Sequence, residues 1–250
     1  MKSCSGLSRE TCWGLLFVLF VVMGWSVSLA GLLSPRCSQL PWWAILGAVF
    51  VRTHLQTGLF IAGHDSMHGV LLPECQRLNR LLGVFLLLLY AALPFERCLQ
   101  NHRLHHLRTA TAEDPDFHAE PSAGAFRWYL RFMAGYLKPS QMVGLLSFWA
   151  LLLLVASASS STGWINVLLF CTLPLLLSSL QLFVFGTYLP HRCQKAPDFQ
   201  RSPDSLNLPP WLSLLACFHF GYHREHHDHP ALPWFDLPAQ RSRQRSVAAA

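Results

Sequence analysis

Along this chain the apolar and polar positions separate into long blocks. Residues 13–33 form an uncharged, mostly apolar run, and residues 41–63 form a second that carries Arg52 and His54. Residues 142–158 and 164–190 are a third and a fourth, divided by the serine-rich turn at 159–162. About 20 mostly apolar helical residues cross a bilayer core, so each run is read as a membrane span. Pro174 should kink the last of them. A fifth stretch, 81–95, has 15 residues without a charge. At about 1.5 Å per residue it is short of the ~30 Å core. We read it as an interfacial or re-entrant helix.

Composition agrees with a membrane protein. Charged residues make up 13% and hydrophobic ones 52%, whereas soluble domains carry about 25% charged residues. The net charge of +6 could suit nucleic acid or an anionic membrane face. The nine tryptophans and the apolar runs favour the membrane, and no nucleic-acid partner is expected. With both termini in the cytoplasm, 17 of the 19 Lys and Arg residues fall on the cytoplasmic side, a strong positive-inside bias. Arg36 lies outside and Arg52 within the second span. A full crossing at 81–95 would break this bias. Ser28-Leu29-Ala30 faintly resembles a signal-peptide cleavage site, but the first run is longer than an ordinary signal core and is read as a span. The expected architecture is an all-α integral membrane protein with about four transmembrane helices plus interfacial helices. One membrane domain covers 13–238, with 1–12 as a cytoplasmic N-terminus and 239–250 as a disordered tail. Eight scattered cysteines without a CxxC pair exclude thiol zinc-ribbon and thioredoxin chemistry.

Thirteen histidines, as many as the acidic residues, are the unusual feature. They concentrate in His64-Asp65-Ser66-Met67-His68, His102-Arg103-Leu104-His105-His106 and His223-Arg224-Glu225-His226-His227. Each cluster has imidazoles at i and i+4, which share one helical face, and the last two also fill i+3. Two imidazoles on one turn can chelate an ion, and the third can reach a second ion beside it. One such pair is commonly two solvated histidines on a polar loop; three on one side of a membrane are read as a metal centre. Eight imidazoles suggest two metal ions, and imidazole suits Zn, Cu, Fe and Ni alike. His191, which follows span four directly, is expected as a ninth ligand. Asp65, Asp116, Glu225 and Asp228 are placed to orient the ligands. His219, one turn before His223, could be a ligand or an orienting group; His118 and His229 lie near the clusters, as supporting or surface residues. His54, roughly 15 Å from His64 along its helix, is read as buried polar packing. Arg52 near mid-span is costly unless paired, and no partner for it is evident.

The three clusters resemble the histidine boxes of the membrane fatty-acid desaturase and hydroxylase superfamily. Within it, several segments resemble β-carotene ketolases of the bacterial and cyanobacterial type. These are Thr57-Gly58-Leu59-Phe60-Ile61 before the first box, Asp114-Pro115-Asp116-Phe117-His118 after the second, and Phe185-Gly186-Thr187-Tyr188-Leu189-Pro190-His191-Arg192. The third box runs from Cys217 to His227 and closes with Pro233-Trp234. Ser66 stands where alanine is expected, and Arg224 where a large aromatic is common. The resemblance covers about residues 41–238.

It implies two ferrous ions, O2 as co-substrate and two-electron supply from an external donor, by resemblance a ferredoxin. The implied reaction converts the C4 methylene of a β-ionone ring first to the alcohol, then to a geminal diol that loses water to leave the ketone. The carotenoid would enter laterally from the membrane lipids, with Phe60, Phe185 and Tyr188 as candidate lining residues, and react on the cytoplasmic side. The rival enzymes are a carotenoid ring hydroxylase, an acyl-lipid desaturase or hydroxylase, and a zinc hydrolase or hydroxylase. A metal transporter would hold its site near the bilayer midplane, whereas these clusters lie past the span ends.

Overall fold

The computed structural model describes residues 7–34, 37, 40–118, 124–192 and 203–248. Arg36, Lys195, Arg201, residues 1–6 of the expected N-terminal segment and residues 249–250 of the expected tail lie outside them. Among the described residues every regular element is helical. Four helices among the described residues are long and apolar enough to cross a membrane: α1 (Arg9–Leu32), α2 (Trp42–Met67), α6 (Pro139–Ser159) and a composite helix α7 (Gly163–His191). They correspond to the four apolar runs. Between α2 and α6 lie α3 (Gln76–Ala91), α4 (Phe95–Leu107) and α5 (Ala125–Tyr136). After α7 come α8 (Pro210–Cys217), α9 (His223–Asp228) and α10 (Leu237–Ala248).

The short stretch at 81–95 does not continue as one rod. α3 and α4 meet at 98°. Ala92 ends α3 in the left-handed region, at φ 54°, and Pro94 caps α4, so the chain turns sharply back and the second box stays beside the first. α3 lies against α2 at Gly83, where a side chain would collide with Phe95 and the Ser66 hydroxyl. The same contact explains Ser66. Its hydroxyl donates to the Asn79 carbonyl at 2.6 Å, and the Asn79 amide donates to the Ser66 carbonyl at 2.8 Å. Gly83→Val should therefore push the bent pair off α2. Overpacking of this kind costs about 1–3 kcal/mol, and thermal unfolding in detergent should move to a clearly lower midpoint. An unchanged midpoint would show that this contact is not tight.

A π turn precedes Pro174 in α7, which runs on to His191. Residues 168–172 form a π segment that ends with Leu173 N–H donating to Leu168 O, and residues 183–188 form a second ahead of Pro190, ending with Leu189 N–H donating to Val184 O. A proline lacks the N–H that would meet the carbonyl four residues back. For Pro174 that carbonyl is Phe170's, and Arg52 Nε donates to it at 2.9 Å. Arg52 Nη1 donates to Trp25 O at 2.7 Å and Ser28 Oγ at 3.2 Å, and the guanidinium sits over the Trp25 ring. The buried cation thus has partners on α1 and α7, which the sequence left unnamed. Further side-chain hydrogen bonds join the spans, as bilayer packing favours: Trp25 Nε1 to Gln56 at 2.6 Å, and Thr57 Oγ1 to Ser178 at 2.8 Å.

The tail departs from expectation. Residues 237–248, read as disordered from 239 onward, form α10. Arg241 is the reason: its Nη1 donates to Glu225 at 2.8 Å, its Nη2 to Leu206 O at 3.1 Å, and its guanidinium covers the Tyr222 ring. Gln240 adds a bond to His229 at 2.7 Å. A segment that looks unable to bury anything is held by the third box.

Candidate metal centre

The histidines come from four places that the fold brings to one point. α2 supplies His64, with His68 one residue past its end; α4 supplies His102, His105 and His106; α7 ends on His191; and α9 carries His223, His226 and His227. α9 leaves α8 through two consecutive left-handed residues, Phe218 (φ 46°) and His219 (φ 62°). Non-glycine residues in that region are strained and cluster at functional sites. Beside this turn, Gly186 of α7 gives the Phe220 ring its space, because a side chain there would overlap it.

The imidazoles sort into two groups. His64, His68, His102 and His226 form one, and His105, His191, His223 and His227 the other, with the ligand atoms of each group within 4.8 Å of one another. α4 and α9 each contribute to both, because residues three apart on a helix lie side by side while pointing past different neighbours. His106 belongs to neither quartet but lies between them. Its Nε2 is 3.1 Å from the Nε2 atoms of both His102 and His226, and its ring stacks on His227 at 4.1 Å. The structure therefore brings all nine sequence-predicted ligands together, His191 included.

The donor set fits metal ions. Five Nε2–Nε2 approaches lie between 2.6 and 3.2 Å. A neutral imidazole has one N–H, and that of His105 is committed to Asp114, with Nδ1 2.8 Å from Oδ1. With their Nε2 lone pairs free, imidazoles converging this closely form a ready donor set for a cation. His64 Nε2 and both nitrogens of His191 are buried without a hydrogen-bond partner among the described residues, a condition native proteins rarely leave uncompensated. Burial, then mutual repulsion, hold His223, His226 and His227 well below the usual imidazole range, and His106 falls to about 3. They are neutral, as ligation requires. His105 alone moves the other way. Burial opposes its charge, but the Asp114 hydrogen bond and the Asp116 and Asp114 charges together prevail.

The supporting carboxylates divide. Asp65 has one oxygen 3.7 Å from His64 Nδ1 and accepts from Trp234 N at 3.2 Å. Asp116 accepts from the Tyr136 hydroxyl at 3.0 Å, and burial raises it to about 6. Glu225 holds α9 through Arg241 and Ser205. Asp228, expected to support the ligands, is exposed at the end of α9, because the helix turns it away from the inward-facing His223 and His227. His219 stacks on Tyr222 and Trp234 outside both quartets, and His118 packs near Trp128. His54 is only half-buried and bonds to Leu215 O at 2.7 Å. Arg224, the other departure from the expected pattern, pairs with Asp204 at 2.7 Å. Asp114 is the residue that sequence reasoning missed as a site residue. Its signal was the motif after the second box, where it stands two residues before Asp116.

A small chamber lies against the imidazoles, with His64, His102, His105, His223 and Asp116 in its wall. Phe60, Phe132, Tyr136 and Leu182 line both this chamber and a larger cavity among α3, α5, α6 and α7. That cavity shares Tyr90, Leu145, Trp149 and Leu175 with a third. The lining of the second and third cavities is almost entirely apolar. A long hydrocarbon could lie along them with one end at the metals.

The fatty acid desaturase family model matches residues 40–250. The chain belongs to the fatty acid desaturase family. Within that family it is 41% identical over 197 residues to a β-carotene ketolase of Paracoccus sp. (strain N81106 / MBIC 01143), covering 76% of each chain. It is 37% identical over 238 residues to a zeaxanthin 4-ketolase of Chlamydomonas reinhardtii, covering 93% of this chain and 52% of that one. A β-carotene ketolase of Haematococcus lacustris is 36% identical over 202 residues, covering 77% and 61%. In this desaturase family member the two quartets are seven of the eight box histidines, all but His106, together with His191.

Proposed function

We propose that this protein is a membrane carotenoid 4-ketolase that oxidises the C4 methylene of a β-ionone ring to a ketone, using two irons, O2 and an external two-electron donor. The observation that carries the reading is a pair of imidazole quartets beside apolar cavities that share wall residues with the metal chamber, in a chain whose relatives are named ketolases. His64, His68, His102 and His226 would hold one iron, and His105, His191, His223 and His227 the other, with His106 available to either. When bound, the irons supply O2 activation, chemistry that no amino-acid side chain offers. The chain's own residues do the rest. Asp114 fixes the tautomer of His105 by accepting from Nδ1. Phe60, Phe132 and Leu182 close the neck against water. The apolar cavities take the polyene from the surrounding lipid.

The site faces the cytoplasm in this reading, because the positively charged residues concentrate there. An acidic, ferredoxin-like reductant would dock on that basic side. Expression in cells that accumulate β-carotene should yield echinenone or canthaxanthin, and purified protein should contain two irons per chain. A well-expressed protein that leaves β-carotene untouched while desaturating acyl lipids would overturn the proposal. So would an active preparation holding stoichiometric zinc.

A further inference from the structure

We infer that Tyr136 is a substrate-positioning residue that retains the once-oxidised ring, so that the reaction proceeds to the ketone. The inference rests on the ketolase reading above. Tyr136 stands at the neck, lining both the metal chamber and the adjoining apolar cavity. The other side chains shared by the two spaces, Phe60, Phe132 and Leu182, carry no polar atom. The Tyr136 hydroxyl donates to Asp116 Oδ1 at 3.0 Å, and Asp116 is itself buried in the chamber wall. Its proton is therefore spoken for, while the lone pairs of its oxygen remain able to accept.

The substrate has nothing to donate at first, since an unsubstituted ring is a hydrocarbon. One round of oxidation changes that, because the C4 alcohol brings an O–H into apolar surroundings. A buried hydroxyl without a partner is penalised. Here it would donate to the phenol oxygen, extending a chain that runs from alcohol to tyrosine to carboxylate. Such chains strengthen each member. The hydrocarbon and the ketone, which carry no donor, gain nothing from this contact. It favours holding the alcohol at the metals over releasing it to the bilayer, and it leaves binding of the first substrate unchanged.

Binding can be measured without turnover. Iron-loaded wild-type protein and Tyr136→Phe in lipid nanodiscs, kept without reductant, would be titrated with β-carotene and with its 4-hydroxy derivative, following quenching of tryptophan fluorescence. Wild type should bind the alcohol about tenfold more tightly, the ratio set by a hydrogen bond of roughly 1.4 kcal/mol. In Tyr136→Phe that ratio should fall to about one, with β-carotene binding retained. In β-carotene-accumulating cells the same variant should raise the ratio of hydroxy to keto products by a similar factor. Equal affinity of wild type for the two ligands overturns this inference alone, whatever the variant does. Failure of wild type to bind either ligand overturns the ketolase reading with it. An unchanged product ratio in Tyr136→Phe at matched β-carotene consumption also overturns the inference.

Discussion

His191→Ala should abolish ketone formation, while His54→Ala at the same membrane level should retain substantial activity. Both histidines belong to apolar spans, and composition does not separate them. Their surroundings do. His191 ends α7 at 1% exposure, in a quartet with His105, His223 and His227, and neither of its ring nitrogens has a hydrogen-bond partner among the described residues. A buried imidazole in that condition is suited to bind an ion. Its removal would take from one ion a ligand that water cannot replace in field or geometry. The loss should exceed the about 10- to 100-fold expected for a residue that merely orients a ligand, and iron content should fall toward one per chain. His54 has its ring nitrogens at Leu215 O and Phe50 O, at 2.7 and 3.3 Å. Pigment analysis and elemental analysis on the two variants decide the matter. Full activity in His191→Ala beside an inactive His54→Ala would place the metal site elsewhere along the membrane normal.

Asp114→Asn should lower ketone formation by about 10- to 100-fold. The carboxyl is fully buried and accepts three bonds: from His105 Nδ1 at 2.8 Å, from Ala110 N at 2.8 Å and from Asp116 N at 2.9 Å. It holds the loop after α4 and keeps the His105 proton on Nδ1, leaving Nε2 for the metal. An amide keeps the shape but loses the charge, and it offers an N–H where one of these donors now binds. Asp228→Asn is the matched comparison, because Asp228 is exposed and its loss should leave activity near wild type. Activity in Asp114→Asn equal to that in Asp228→Asn would remove Asp114 from the site.

The histidine boxes were legible in the sequence for a local reason. Spacing of three and four residues sets a shared helical face wherever the helix lies, and apolar run length sets what can span a bilayer. That 81–95 turns instead of running on was legible as well, because a full crossing would have separated the boxes. What stayed hidden depends on contacts between residues far apart in the chain. The division into quartets depends on how α4 and α9 cross, which joins His102 to His226 and His105 to His223. Arg52 found partners 27 and 118 residues away. The order of α10 hangs on one arginine reaching a carboxylate inside the third box. The cavities exist only between packed helices, so no run of residues announces them. Thus the sequence by itself determined the membrane class, the family and the ligand types, since these follow from local periodicity and motif. Tertiary structure alone decided which imidazoles share an ion, which carboxylate orients them and where a hydrocarbon can lie, because distance through space is set by helix packing.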